Sequence, residues 1–178
     1  MRPLFPSILI TLSFCLWAGF IQAQTKSYTI FDTYDTFQQH VSKYSGSTVV
    51  VNFWATYCGP CVKELPYFDA LQQTYADQNV RVILVNLDFV SQLEQRLKPF
   101  LEKHHIKSEI VVLGDQDADI WVPKVSSLWN GELPFTTVLK KGKQGVHPQE
   151  FRNYEDLEKW VLPFLDRRTA YTSEGSRP

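Results

Sequence analysis

Cys58-Gly59-Pro60-Cys61 is the grouping in this 178-residue chain whose residue types and spacing point most directly to chemistry. As a structural staple the pair would do little. Closing so short a loop restricts the unfolded chain by only ~2 kcal/mol, against ~4.7 for a loop of 100 residues. A zinc half-site is the other alternative, but it needs four ligands and no second pair of this kind exists. His104, His105 and His147 have no ligand spacing with it and read as loop or surface histidines. Dithiol–disulfide exchange is the reading that uses the spacing.

That chemistry depends on where the helix begins. Cys58 is expected at or just before a first helical turn, where unpaired amide N–H groups and the helix dipole favour an anion. Its thiol pKa should then fall below the free value of ~8.5, making it the nucleophile. Cys61 lies one turn inward, near enough to bond Cys58 yet shielded from large substrates, and is the resolving cysteine. The centre would cycle between a dithiol and a Cys58–Cys61 disulfide, with Pro60 supplying a φ suited to a helix start. Trp54 and Tyr57 flank the pair and, with Gly59 and Pro60, are candidate substrate contacts. Trp54 also reads as core, and Tyr57 is the better contact.

The flanking elements fit this placement. Thr48–Trp54 is rich in β-branched and aromatic residues and reads as a buried strand running into the motif. From Cys58 onward, Cys61, Leu65, Phe68, Leu71, Gln72 and Tyr75 recur at helical spacing, with Pro66 expected to interrupt the helix. Short strands are expected at Tyr28–Phe31, Val80–Leu87, Ile110–Leu113 and Phe135–Lys140, the last turning at Lys141-Gly142-Lys143 into another around Gly145-Val146. Helices are expected around Phe37–Tyr44, around Leu93–Leu101 with a bend near Pro99, over part of Ile120–Leu128, and from Tyr154 to Leu165. Trp121, Trp129 and Trp160 read as packing residues. The order implies one α/β domain, a mixed sheet with helices on both faces.

Outside that domain the ends read differently. Met1-Arg2, an apolar run from Ser7 to Ile21 and the small residue Ala23 have the layout of a secretory signal peptide over 1–23. An uncleaved anchor is the competing reading, since Leu4–Ile21 could just span a bilayer. A lipid-modified Cys15 fits poorly between Phe14 and further apolar residues. The domain is expected over 24–166, and the polar, small-residue stretch 167–178 as a disordered tail. Beyond the leader the only cysteines are Cys58 and Cys61, in a chain expected in an oxidising, periplasmic setting. With 18 basic and 19 acidic residues, the chain has no electrostatic footprint for nucleic acid. No nucleotide, metal or flavin signature appears, so no cofactor is expected, and a monomer is the default.

The segment Val49–Leu71, with Phe53-Trp54-Ala55, Cys58-Gly59-Pro60-Cys61 and Lys63-Glu64-Leu65-Pro66, resembles the active-site region of thioredoxin-like proteins, specifically the exported TlpA/ResA branch of thiol–disulfide oxidoreductases. The resemblance implies a thioredoxin fold with an inserted βα element, which Ile110–Leu128 partly supplies. It implies a cis-proline at Pro134, where sequence alone favours trans, with Leu133 offering backbone groups to an extended substrate segment. Where cytosolic thioredoxins carry a buried Asp, this chain has Asn52. Glu64, one helical turn beyond Cys61, then resembles the acid this branch places near the dithiol. It is read either as proton acceptor or pKa tuner for Cys61, or as an exposed first-turn Glu favouring the dipole. Lys63 reads as a solvated side chain whose charge could assist Cys58.

Gly59-Pro60 brings no cation to stabilise a Cys58 thiolate, which points to a reducing or intermediate protein. The resemblance implies protein disulfide substrates, apocytochrome c among them, and re-reduction by a membrane thiol-electron donor. Two alternatives stay open: a dithiol oxidase or isomerase, and a non-catalytic binding module on the same scaffold.

Overall fold

The computed structural model describes residues 28–166. The expected signal segment, with Cys15, and the expected tail 167–178 lie outside the described residues.

Six strands form one mixed sheet in the order β1-β4-β3-β2-β5-β6. They are β1 (Thr29–Phe31), β2 (Thr48–Trp54), β3 (Val80–Asn86), β4 (Glu109–Leu113), β5 (Phe135–Lys140) and β6 (Lys143–His147). The first four in chain order are mutually parallel, whereas β5 runs antiparallel to both β2 and β6. Strand β2 sits in the middle, buried along its whole length. Its side chains alternate between two cores, as the twofold period of a strand requires. Val50 and Trp54 join one, with Leu65, Phe68 and Leu71 of helix α2 (Gly59–Thr74), residues of α3 (Leu97–His104), and Leu157 and Val161 of α5 (Tyr154–Val161). Val49, Val51 and Phe53 join the other, beneath α1 (Tyr34–Ser42) and α4 (Ala118–Val125). This is the mixed sheet covered on both faces that the element order implies.

Helix starts follow local chemistry. Thr33 caps α1 by accepting from the Thr36 N–H at 3.3 Å, and Asn153 caps α5 by accepting from Asp156 N–H at 2.8 Å. Two expectations about prolines are corrected. Helix α2 runs through Pro66 without a break. The Pro66 side chain is exposed, while Leu65 and Phe68 on either side of it are buried in the core and anchor the helix. Pro99 does not bend a longer helix either. Leu93 belongs to a separate turn after Val90–Gln92, and α3 begins only at Leu97. Pro99 thus falls in the first turn, where its missing donor has no intrahelical partner to lose. No helix among the described residues is long and apolar enough to cross a membrane.

Candidate active site

The chain leaves β2 at Trp54 and turns sharply, with Cys58 N–H donating to the Ala55 carbonyl at 3.1 Å. A buried carboxylate pins this turn: Asp88 Oδ1 accepts from the Thr56 N–H at 3.0 Å, and the Asp88 N–H is held by Asn86 Oδ1 at 3.1 Å. Cys58 therefore arrives in the N-cap position of α2, its Sγ facing the Cys61 N–H at 3.3 Å. The two sulfurs are joined in a disulfide with their Cα atoms 5.3 Å apart. Their surroundings differ. Cys58 is partly exposed between Tyr57, Gly59 and Pro60, all exposed, whereas Cys61 is fully buried. An incoming group can reach the outer sulfur only. A thiolate formed there meets the amide-rich end of a sixteen-residue helix.

The Leu133–Pro134 peptide is cis. Pro134 is buried and Leu133 half-buried, and β5 begins immediately afterwards with Phe135 opposite Phe53. That register puts the loop at the same end of the sheet as Cys58. The loop is braced from behind: the Trp129 indole donates to the Glu132 carbonyl at 2.7 Å, and its ring stacks on Phe135 at 4.6 Å. Gly131 sits at φ +92°, a conformation that residues with a side chain resist.

Trp54 is corrected from substrate contact to core. It is 0% exposed and its ring lies 5.3 Å from that of Phe100, so no substrate can touch it. Tyr57, at 61% exposure, is the aromatic group that faces outward beside the disulfide. Phe89 and Val90, also exposed, follow directly on Asp88 and so stand on the loop tied to the Thr56 turn. Lys63 is exposed.

Glu64 is not the exposed first-turn acid that one reading allowed. It is 0% exposed. Its Oε1 accepts from Asn52 Nδ2 at 2.9 Å, and its Oε2 accepts from the Phe151 backbone N–H at 2.8 Å. Asn52 also reaches Thr136 Oγ1 on β5 at 3.0 Å, so a polar chain crosses the core one helical turn from Cys61. Burial pushes the Glu64 pKa up to about 7, against the two hydrogen bonds that favour the carboxylate, with the nearby Glu150 charge adding to the rise. Neither Phe151 nor Asp88 was picked out from sequence. The first acts through a backbone donor that any residue carries; the second sits at the end of a strand like many aspartates.

Among the described residues no group of three or more His, Cys, Asp or Glu side chains is placed to hold a metal ion. His104 and His105 are exposed, while His147 is half-buried against the Phe151 ring. The arrangement offers an accessible disulfide at a helix start, a buried acid that titrates near neutrality, and a cis-proline loop beside them.

The chain is similar to known proteins. The Redoxin family model matches residues 27–121. The thiol-disulfide oxidoreductase ResA of Geobacillus kaustophilus (strain HTA426) is 32% identical over 105 residues, covering 58% of this chain and 55% of that protein. The chain thus matches about half the length of this curated relative. Two solved structures share the fold. StoA from Bacillus subtilis is 23% identical with a TM-score of 0.51, over 66% of this chain and 84% of that one. A thiol:disulfide interchange protein of the thioredoxin family from Chlorobium tepidum TLS is 22% identical with a TM-score of 0.58, over 70% and 84%.

Proposed function

The chain belongs to the Redoxin family, and we propose that within it this protein is an exported thiol–disulfide oxidoreductase that reduces disulfides in other proteins. The supporting observation is the unequal burial of two bonded sulfurs at a helix start: Cys58 reachable, Cys61 sealed. In the reduced protein the Cys58 thiolate attacks a target disulfide, forming a mixed disulfide and expelling one target thiolate. Cys61 then gives up its proton and attacks the Cys58 sulfur. The second target sulfur leaves as a thiolate, and both released thiolates take up protons. Two electrons have passed to the target, and the protein holds its Cys58–Cys61 disulfide.

Cys61 needs a base, because a buried thiol holds its proton tightly. Glu64 is the acid we assign to accept it, one turn along the helix and titrating close to pH 7. Leu133, in the cis peptide, has backbone groups suited to pairing with an extended target segment, and Tyr57, next to Cys58 in the chain, supplies an exposed aromatic ring. Gly59 and Pro60 hold no cation that would stabilise a Cys58 thiolate, which favours the reducing direction. Reduction potentials of this class run from about −270 mV in thioredoxin to about −120 mV in DsbA, and we expect a value toward the lower end. Apocytochrome c thiols are a candidate target within this reading, and a membrane thiol carrier the candidate donor.

The test is insulin reduction by the intact protein and by Cys58→Ser, together with trapping of targets on Cys61→Ser, in which the mixed disulfide cannot resolve. Catalysis that survives Cys58→Ser would sink the proposal. A potential near −120 mV would instead reverse the direction and make the protein a dithiol oxidase.

A further inference from the structure

We propose that Phe151 is a positioning residue for the redox centre: an aromatic clamp fixes its backbone N–H on Glu64 Oε2, and this amide decides over which pH range Cys61 can be deprotonated. The proposal rests on the reading of Glu64 as the acid for Cys61.

The geometry is unusual for a loop residue. Phe151 is 4% exposed although it follows Pro148-Gln149-Glu150, all exposed. Its ring meets three others from three different elements: Phe68 of α2 edge-on at 6.0 Å, His147 of β6 stacked at 4.0 Å, and Trp160 of α5 at 5.5 Å. Phe68 and Glu64 are four residues apart on α2, hence on one face of it. The same helix therefore grips residue 151 twice, by its ring through Phe68 and by its amide through Glu64 at 2.8 Å. Rotating the Phe151 backbone would break the hydrogen bond and unstack the ring together.

The groups that face Glu64 are few. Asn52 of β2 donates to its other oxygen, Cys61 lies one turn before it on α2, and Glu150 brings a negative charge from the loop. Behind the clamp stand His147, whose pKa burial lowers, and Arg152, which pairs with Asp156 at 2.9 Å. Of these contacts only the Phe151 amide and Asn52 favour the ionised acid, and Asn52 is shared with Thr136. Removing the amide donor leaves the carboxylate with one donor and should raise its proton affinity by about tenfold, roughly one pH unit.

The experiment is the pH dependence of insulin reduction between pH 5 and 9 for wild type, Phe151→Leu, Phe151→Pro and Glu64→Gln. Phe151→Leu keeps the donor but removes the ring contacts, and should carry the midpoint upward by less than Phe151→Pro does; a wild-type midpoint there overturns the clamp. Phe151→Pro removes the donor and should carry the midpoint upward by about one unit. Glu64→Gln should flatten the profile. An unmoved midpoint in Phe151→Pro beside a flattened Glu64→Gln profile overturns this proposal alone. A wild-type profile in Glu64→Gln overturns the acid reading beneath it. If Phe151→Pro fails to fold, the amide can be followed in the unmutated protein by NMR. The Phe151 N–H should titrate with a midpoint near 7 and stop doing so in Glu64→Gln, and an amide indifferent to pH overturns the proposal.

Discussion

The two faces of strand β2 are built from different materials. Val49, Val51 and Phe53 look into a core of rings, where Phe37, Trp121 and Trp129 all pack around Phe53 within 6.4 Å. On the opposite face, Val50 and Trp54 pack as expected, but Asn52 between them holds a buried carboxylate. With a pKa moved from 4.5 to about 7, Glu64 is protonated without penalty below ~4.5, and the stability it supports there is lost as pH rises to 7. Above that, holding the ionised acid costs on the order of 3 kcal/mol. One face is lined by rings; the other gives up some stability to hold a titratable group one helical turn from Cys61.

Substitutions on each face separate these roles. Cys58→Ser has the largest expected effect on function: insulin reduction falls to the uncatalysed background, while thermal unfolding moves little relative to the reduced wild type, which also lacks the cross-link. Phe37→Ala, on the ring-filled face, is expected to cost ~3–5 kcal/mol in chemical denaturation, with turnover per folded molecule unchanged. A loss of turnover there would mean the two faces are not independent. Glu64→Gln should act with opposite signs on the two properties. At pH 8 turnover drops about 100-fold, whereas stability rises by up to ~3 kcal/mol, and that stability gain fades as pH is lowered toward 4.5. A variant no more stable than wild type at pH 8 would contradict the cost assigned to the acid. The smallest effects are expected at the caps. Thr33→Ala on one face and Asn153→Ala on the other should each remove about 1 kcal/mol, a pair of equal losses against which any difference in activity can be read.

Much of the frame was legible in the chain. The Thr48–Trp54 strand has the same bounds in sequence and structure because β-branched density and a turn signal coincide there. The cysteine pair announces its own position, since little but a helix start uses that spacing beside a strand. Side-chain exposure was harder to read. Trp54 and Tyr57 are three residues apart and equally aromatic, yet one is sealed and the other open, according to which side of the turn each falls on. For Glu64 the sequence leaves two readings open, the acid near the dithiol that the resemblance implies and an exposed first-turn Glu, because its burial is decided by a loop more than eighty residues away. A backbone donor such as Phe151 N–H leaves no trace in residue type; the one hint was a lone aromatic in a polar stretch. Pro66 and Pro99 misled for the same reason, because their effect depends on what flanks them in space.

The sealing of Cys61 has a consequence for damage. Peroxide meeting the reduced protein can add oxygen only to the outer sulfur, giving a sulfenic acid on Cys58. That product forms within bonding range of the inner thiol, with which it condenses to the disulfide and releases water. An oxidative insult would then return the molecule to one of its two working states, and the irreversible sulfinic and sulfonic forms would be forestalled by a neighbour that the oxidant itself cannot reach.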